Sequence, residues 1–463
     1  MVSYFINKTI DTPINNWAIK FLVESSGYKA VKSNTITDQV KLYYGNDLVE
    51  INSLSNSIII QQKKTSPSAI FSFNEKSRLK ELSFDIIEAT ILLLTDKIHS
   101  NLNKEHYDKH NRLKGACSYQ FKNGSIQKPI VNYYVLLIKN SIKEKFLLTP
   151  IPFYPKDYTS VVVLSHDVDE PDRYAILKRQ KEKIKHLNFE NKLYYAWIFL
   201  RKYIRKIIFG GHKSYWNFEK ILALESKYGF SSSFFFSAKS RFEKGSNFKL
   251  DNSYDIDHQE FQKLFSLLND KGFEIGLHSS YNANTNLSFF EDEKNRLEKI
   301  AKRQVIGNRH HFWNLGKNED QTLLAHHKSG FKYDSSIAFN DCPGFRRSTA
   351  LPFYPYNSEN NITLSTLQIP NFLMDTNLVN GENEEEIVQK AIVFINELTK
   401  AQGVASINWH VRMAYPTDKK LSLYARVYMK IIEHLSNTKN VWVTSFENYY
   451  QWQKEREDLI NAQ

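Results

Sequence analysis

Ser165-His166-Asp167-Val168-Asp169 follows directly on the apolar run Val161-Val162-Val163-Leu164. Valine is stiff at its branched Cβ and packs well on a buried, pleated surface, so the run reads as an interior strand. Carboxylates at the end of such a strand are costly to bury unless they are paired or at work. Side chains two apart on a strand share a face. Asp167 and Asp169 are therefore expected to aim into one space, with His166 and Val168 turned away. One carboxylate can hold a metal while the other takes a proton. The plainer alternative is a strand end whose aspartates cap the following turn.

Working outward, strand and helix patterns alternate. Tyr215 to Gly229, His258 to Lys271, Leu287 to Lys302, Asp320 to Lys328, Glu384 to Lys400 and Leu421 to Leu435 read as helices. Between them, Ser232 to Phe236, Phe273 to Leu277, a short strand near Val305 before Gly307, Val404 to Asn408 and Val441 to Thr444 read as strands. Such alternation predicts a parallel α/β sheet or barrel. Thr149-Pro150-Ile151-Pro152-Phe153-Tyr154-Pro155 is a natural boundary, because proline interrupts ladders and helix interiors alike. The expected organisation is a smaller α+β domain over residues 1–150 and a larger one over 158–455. In the first, Val40 to Tyr44 and Ser57 to Gln61 read as strands and Asn74 to Ser100 as one helix. His106, Asp108, His110 and Arg112 read as a solvated loop.

With 463 residues, 41% of them hydrophobic, the chain can bury substantial cores, and its composition excludes disorder. The net charge is +12, with a basic insertion at residues 175–213 where basic and apolar residues interleave at helical spacing. The expectation is a surface helical hairpin packing its apolar side on the larger domain; the alternative is contact with an anionic membrane or an acidic polymer. There is no nucleic-acid motif. Two cysteines, Cys117 and Cys342, build no disulfide framework. Met1 to Ser26 carries no signal-peptide pattern, and Ile86 to Thr95 is too short and too interrupted to span a bilayer, which gives a cytoplasmic expectation.

Polar side chains recur after the strands: His278-Ser279-Ser280-Tyr281-Asn282 after Leu277, Gly307-Asn308-Arg309-His310-His311 after Val305, and Trp409-His410 after Asn408. In a barrel the C-terminal strand ends form the active face. With these motifs in this order, residues 158–455 resemble the polysaccharide deacetylase family, carbohydrate esterase family 4. Ser165 to Asp169 is similar to its first motif in the Asp-x-Asp variant, and Gly276 to Tyr281 to its histidine motif. Residues 309–311 stand where an Arg-bearing motif is expected, and Trp409-His410 resembles the last motif. Residues 370–378, with Asp375, look like a late-barrel segment of related proteins. The first region resembles the accessory domain that precedes such barrels in some bacterial polysaccharide-cluster proteins.

The resemblance implies a distorted parallel (β/α) barrel and metal-dependent hydrolysis of N-acetyl groups on a glycan or glycan precursor. It implies Asp167 as general base, Asp169 and His278 as ligands of a divalent metal, typically zinc, His410 as general acid and Arg309 as the residue orienting the base. The family's second metal histidine falls at Asn282, a poor zinc ligand. Three outcomes stay open there: weak ligation by Asn282, a third ligand from His310 or His311 (His311 is preferred, since adjacent residues of an extended segment face opposite ways), or no metal and a silent glycan-binding barrel. Asp375 could orient His410 through a ring nitrogen. Tyr281 could stack on a sugar, and Arg346, in a loop over the site, could meet an anionic sugar. His326 and His327 read as helix-end dipole partners.

Overall fold

The computed structural model describes residues 1–73, 75–171, 188–208, 216–381, 383–414 and 421–463. The N-terminal region builds a parallel four-stranded sheet from β1 (Val2–Ile6), β2 (Ala30–Lys32), β3 (Leu42–Tyr44) and β4 (Ile58–Ile60), in the order β2-β1-β3-β4. Helices Pro13–Ser25, Ile86–Leu94 and Ile130–Phe146 cover it with a continuous apolar core. The single helix expected over residues 74–100 is instead one short helix flanked by 3-10 turns. Asp85 starts it by accepting the Ile87 and Glu88 amides, and Asp96 ends it in left-handed backbone at φ 61°. Leu315, Ile337, Leu351, Phe353 and Tyr356, from the second half of the chain, complete that core.

The large sheet is organised on β5 (Ser160–Val168), every residue of which is buried. It continues through β6 (Ser233–Phe236), β7 (Glu274–Ser279), β8 (Gly307–His310) and β9 (Tyr333–Asp334). A small antiparallel pair follows, β10 (Tyr356–Asn357) with β11 (Ile362–Thr363). Then come β12 (Leu367–Gln368), β13 (Asn371–Met374), β14 (Val404–Asn408) and β15 (Val441–Thr444). All pairs in this sheet are parallel, in the order β12-β9-β8-β7-β6-β5-β14-β13, with β15 also on β5.

The two ends of that order are halves of one extended segment, broken at Pro370, which has no N–H for a ladder. Its first half pairs with β9 and its second with β14, so the sheet curls round and closes on itself. This is a distorted parallel (β/α) barrel. It is pried open at one place, where β15 pairs with β5 from Ser160 to Val163 and β6 pairs with it only from Ser165 to Val168.

Alternation sets what fills each side. Val161, Val163, Phe235, Tyr333, Leu367, Ile369 and Val404 pack inside, closed by Phe446 and Tyr449 of the C-terminal helix Phe446–Asn461. A Cβ on Gly276 would fall 2.6 Å from the Phe235 ring and one on Gly307 would fall 2.0 Å from the Tyr333 ring, so glycine makes room for both aromatics. That explains one difference from the sequence reading. Gly307 is not a terminator after a strand near Val305; the strand begins there and carries Arg309 within it. Val162, Leu164, Val168, Phe234, Phe236, Ile275, Leu277, Ala405 and Ile407 face outward onto the helical layer.

Of the basic insertion, residues 175–187 and 209–213 lie outside the described residues. Between them a helix runs Phe189–Ile208. Its apolar residues Phe189, Leu193, Trp197, Leu200 and Ile204 are exposed, not packed on the barrel as expected. No described helix is long and apolar enough to cross a membrane.

Candidate active site

Odd-numbered residues of β5 face the barrel interior, so Asp167 enters it at the C-terminal end, above Val161 and Val163. Two donors hold its oxygens. Arg309 Nη1 lies 3.0 Å from Oδ1, and Asn408 Nδ2 donates to Oδ2 at 2.7 Å. Arg309 is fully buried inside the barrel, its guanidinium 4.5 Å from the Phe235 ring centroid and 5.3 Å from that of Phe446. It also donates to Ser165 Oγ, Ser335 O and Ser335 Oγ. Burial raises the Asp167 carboxyl, but the charges of Arg309, His278 and His410 together outweigh it, Arg309 contributing most, and hold Asp167 below the ordinary range. His166, facing outward, lies between the Trp409 carbonyl (2.7 Å) and Glu225 Oε1 (2.8 Å), away from the site.

Asp169 stands one residue past β5 and divides its two oxygens. Oδ2 pairs with Arg412 Nη1 and lies 3.3 Å from His410 Nε2. Oδ1 faces His278 Nε2 at 3.3 Å and His311 Nε2 at 3.4 Å, without hydrogen-bond geometry to either. His278 Nδ1 lies 2.8 Å from the Arg309 carbonyl, which can only accept, so that nitrogen carries the proton. The Nε2 of the neutral ring then presents a lone pair to a carboxylate oxygen. Two acceptors face each other unless the ring is doubly protonated or a cation lies between them. Asp169, His278 and His311 offer ligand atoms within 4.8 Å of one another. One carboxylate and two imidazoles with an open side suit zinc or another divalent ion.

His410, after β14, is oriented by Asp375. Its backbone amide and its Nδ1 both donate to Asp375 Oδ2, at 2.6 and 2.8 Å. Burial lowers the imidazole, yet the carboxylates of Asp375 and Asp169 outweigh both burial and Arg412 and raise it to about 10. Burial likewise opposes His311, which the Asp169 and Asp251 carboxylates hold up at about 9. Asp169 itself is held well below the ordinary range, because Arg412 and His410 outweigh burial.

Asp167, Asp169, His278, His311, His410 and Arg412 share one cavity of about 140 Å³, walled by Phe312, Trp313, Asn340, Met374 and Thr376. Among the described residues, the structure brings together Asp167, Asp169, His278, Arg309, His311, Asp375 and His410. It leaves three others outside. Asn282 does not line the cavity; the chain turns after β7 and its amide donates to the Gly245 carbonyl at 3.1 Å. Arg346 is buried away from the cavity, paired with Asp96 at 2.9 Å and Glu319 at 2.6 Å. The Tyr281 hydroxyl is bound to His110 Nδ1 at 2.8 Å and does not line the cavity. His310 is turned into the core beside His326, their Nε2 atoms 2.9 Å apart, so His326 is a buried core residue, not a helix-end ornament.

Besides Asn408, which holds Asp167, two contributors were not read from the sequence. Arg412 opens the short helix Val411–Ala414, two residues after His410, and that spacing was its only signal. Asp251, on the loop after β6, accepts the Tyr281 amide at 2.7 Å and lies 3.7 Å from His311 Nδ1. The loop expected to be solvated at 106–112 instead backs the cavity wall through Arg112. Arg112 donates to the Phe312 carbonyl and to Asn340 Oδ1, the latter at 2.8 Å. It braces a strained turn, since Phe312 and Trp313 both hold left-handed backbone, φ 61° and 52°.

Residues 3–147 match a family of unknown function (DUF7033). No curated protein matches the chain. Among solved structures, a protein from Mycobacterium smegmatis assigned to the polysaccharide deacetylases aligns at 13% identity, covering 65% of this chain and 93% of its own, with a TM-score of 0.43. The PuuE allantoinase aligns at 16% identity, over 66% of this chain and 93% of its own, with a TM-score of 0.42. A family 4 carbohydrate esterase from Streptomyces lividans aligns at 10% identity, over 62% and 92%, with a TM-score of 0.30.

Proposed function

We propose that the chain is a divalent-metal-dependent hydrolase that removes acetyl groups from an N-acetylated glycan or glycan precursor. One observation carries the reading. Two separately braced groups of opposite protonation preference, Asp167 on Arg309 and His410 on Asp375, face one cavity beside the Asp169-His278-His311 donor set. Amide hydrolysis needs a base for the attacking water and an acid for the departing nitrogen. Pairs of titratable groups whose surroundings drive them apart mark such assignments.

When bound by Asp169, His278 and His311, a divalent cation would polarise the amide carbonyl and acidify the attacking water. Asp167, kept ionised by Arg309, accepts the proton of that water. His410, kept protonated by Asp375, donates a proton to the leaving nitrogen, completing amine release. Phe312, Trp313 and Met374 offer the acetyl methyl an apolar wall. Acetate release from N-acetylated saccharides, measured with Zn, Co, Mn and Ni in turn, tests this. Asp167→Asn should cost at least about 10²-fold in kcat, and no release from a broad panel with any of these ions would contradict it.

A second reading rests on Arg412. Its guanidinium already neutralises Asp169, so the barrel could bind glycans without a metal and without turnover. Stoichiometric metal in the purified protein, together with acetate release, excludes that alternative.

A further inference from the structure

The helix Phe189–Ile208 is left unexplained by the reaction. Phe189, Leu193, Trp197, Leu200 and Ile204 recur at spacings of four, four, three and four residues. At about 100° per residue they fall within roughly 80° of one helix face. Each is between 44% and 75% exposed. The inner side of the helix is marked by Tyr194, whose ring meets Phe248 edge-on at 5.9 Å and lies 5.9 Å from Lys249 Nζ. The apolar stripe is therefore turned outward. Such a patch on a protein marks an interaction site.

The charge says with what. Residues 175–213 hold eleven Lys and Arg against only Glu182 and Glu190, most of the chain's net +12. By helical spacing, Lys192 and Arg201 fall on either side of the stripe, and Lys202, Arg205 and Lys206 occupy the rest of the helix surface. A second copy would bring the same positive charge against this one and repel it. A nucleic acid would use the basic residues but gives an outward row of leucine, isoleucine and phenylalanine nothing to bury in. An anionic bilayer matches both features, taking the stripe into its headgroup–acyl boundary and the basic side chains onto its phosphates.

We propose that this helix seats the protein on an anionic membrane surface. It lies in the connection from β5 to β6, which leaves the barrel at the end bearing Asp167 and Asp169. Tyr194 packs on Phe248, in the same loop after β6 as Asp251, so membrane seating acts at the barrel end that bears the candidate site, and it stands whether or not the chemistry proposed above is right.

The test is co-sedimentation of the full chain with vesicles of phosphatidylcholine alone or mixed with phosphatidylglycerol. The doubled variant Leu193→Glu, Leu200→Glu is run beside the wild type, with thermal melting as a folding control. Wild type should favour the anionic vesicles by about tenfold or more and lose that preference at high salt. The variant should lose at least about tenfold in binding with its melting unchanged, because both positions are exposed. Three results overturn the proposal: no preference for anionic vesicles, undiminished binding by the variant, or a stripe-dependent dimer or DNA complex without vesicle binding.

Discussion

Asp167 and His410 each lean on one partner of opposite charge, and the two partners are replaceable to different degrees. Arg309 is enclosed by Phe235, Phe446, Ser165 of β5, Ser335 just after β9 and Ser406 of β14. Arg309→Met leaves Asp167 buried without its counter-charge, and chemical denaturation should show a loss of about 3–5 kcal/mol. Asp375→Asn keeps an acceptor for the His410 amide but no longer favours the imidazolium. Its kcat for acetate release should fall about 10–100-fold with little change in melting. His311→Ala should weaken Zn or Co binding by at least about 10-fold in calorimetry, whereas Asn282→Ala should stay within about twofold. At this scale the sequence was informative where strand alternation applied, at Asp167, Asp169 and His166, while Arg309 was reached through the resemblance alone. At Asn282 the sequence left three outcomes open, because the backbone path after His278 has no period to read. The chain there makes a tight turn into the 3-10 segment Ala283–Thr285, and Asn282 finds the Gly245 carbonyl instead.

The elements that present the site are held by buried carboxylates that no pattern announces. Glu293, on the helix Leu287–Ala301, accepts the Ser280 amide at 2.8 Å and pairs with the Ser280 hydroxyl, pinning the turn after β7 that follows His278. Burial pushes its carboxyl up to about 7 from an ordinary 4.5. Between those values folded Glu293 holds a proton that the unfolded chain releases, so this group's contribution to stability falls as pH rises and is gone above about 7. The loss assignable to this group is about 3 kcal/mol. Urea midpoints measured from pH 4.5 to 7 should show this slope, made shallower by Glu293→Gln; Glu274, raised in the same way, adds to it. Helix and strand existence in the barrel half was legible, since period and length agree with burial there. Boundaries failed where glycine served packing, at Gly307, and where polar capping cut a run short, at Asp85 and Asp96.

The N-terminal sheet and the barrel share one apolar core and one ion network. Leu351, Phe353 and Tyr356 enter the first core. Arg346 and Arg347 reach both Glu319 of the barrel and the Asp96 segment, and Arg112 supports the Phe312 turn. Such long-range joins carry no sequence period, which is why Arg346 read as a loop residue over the site. A chain of residues 151–463 alone should be insoluble or melt at least about 10 °C lower, as several kcal/mol of packing are exposed.

The central claim is that a divalent ion held by Asp169, His278 and His311 is used for deacetylation. It is tested most directly by measuring metal content and acetate release on one preparation of the full chain. Close to one divalent ion per chain is expected, with acetate release that chelation abolishes and that ion restores. A chain that binds no divalent ion, or releases no acetate when fully loaded, would contradict it.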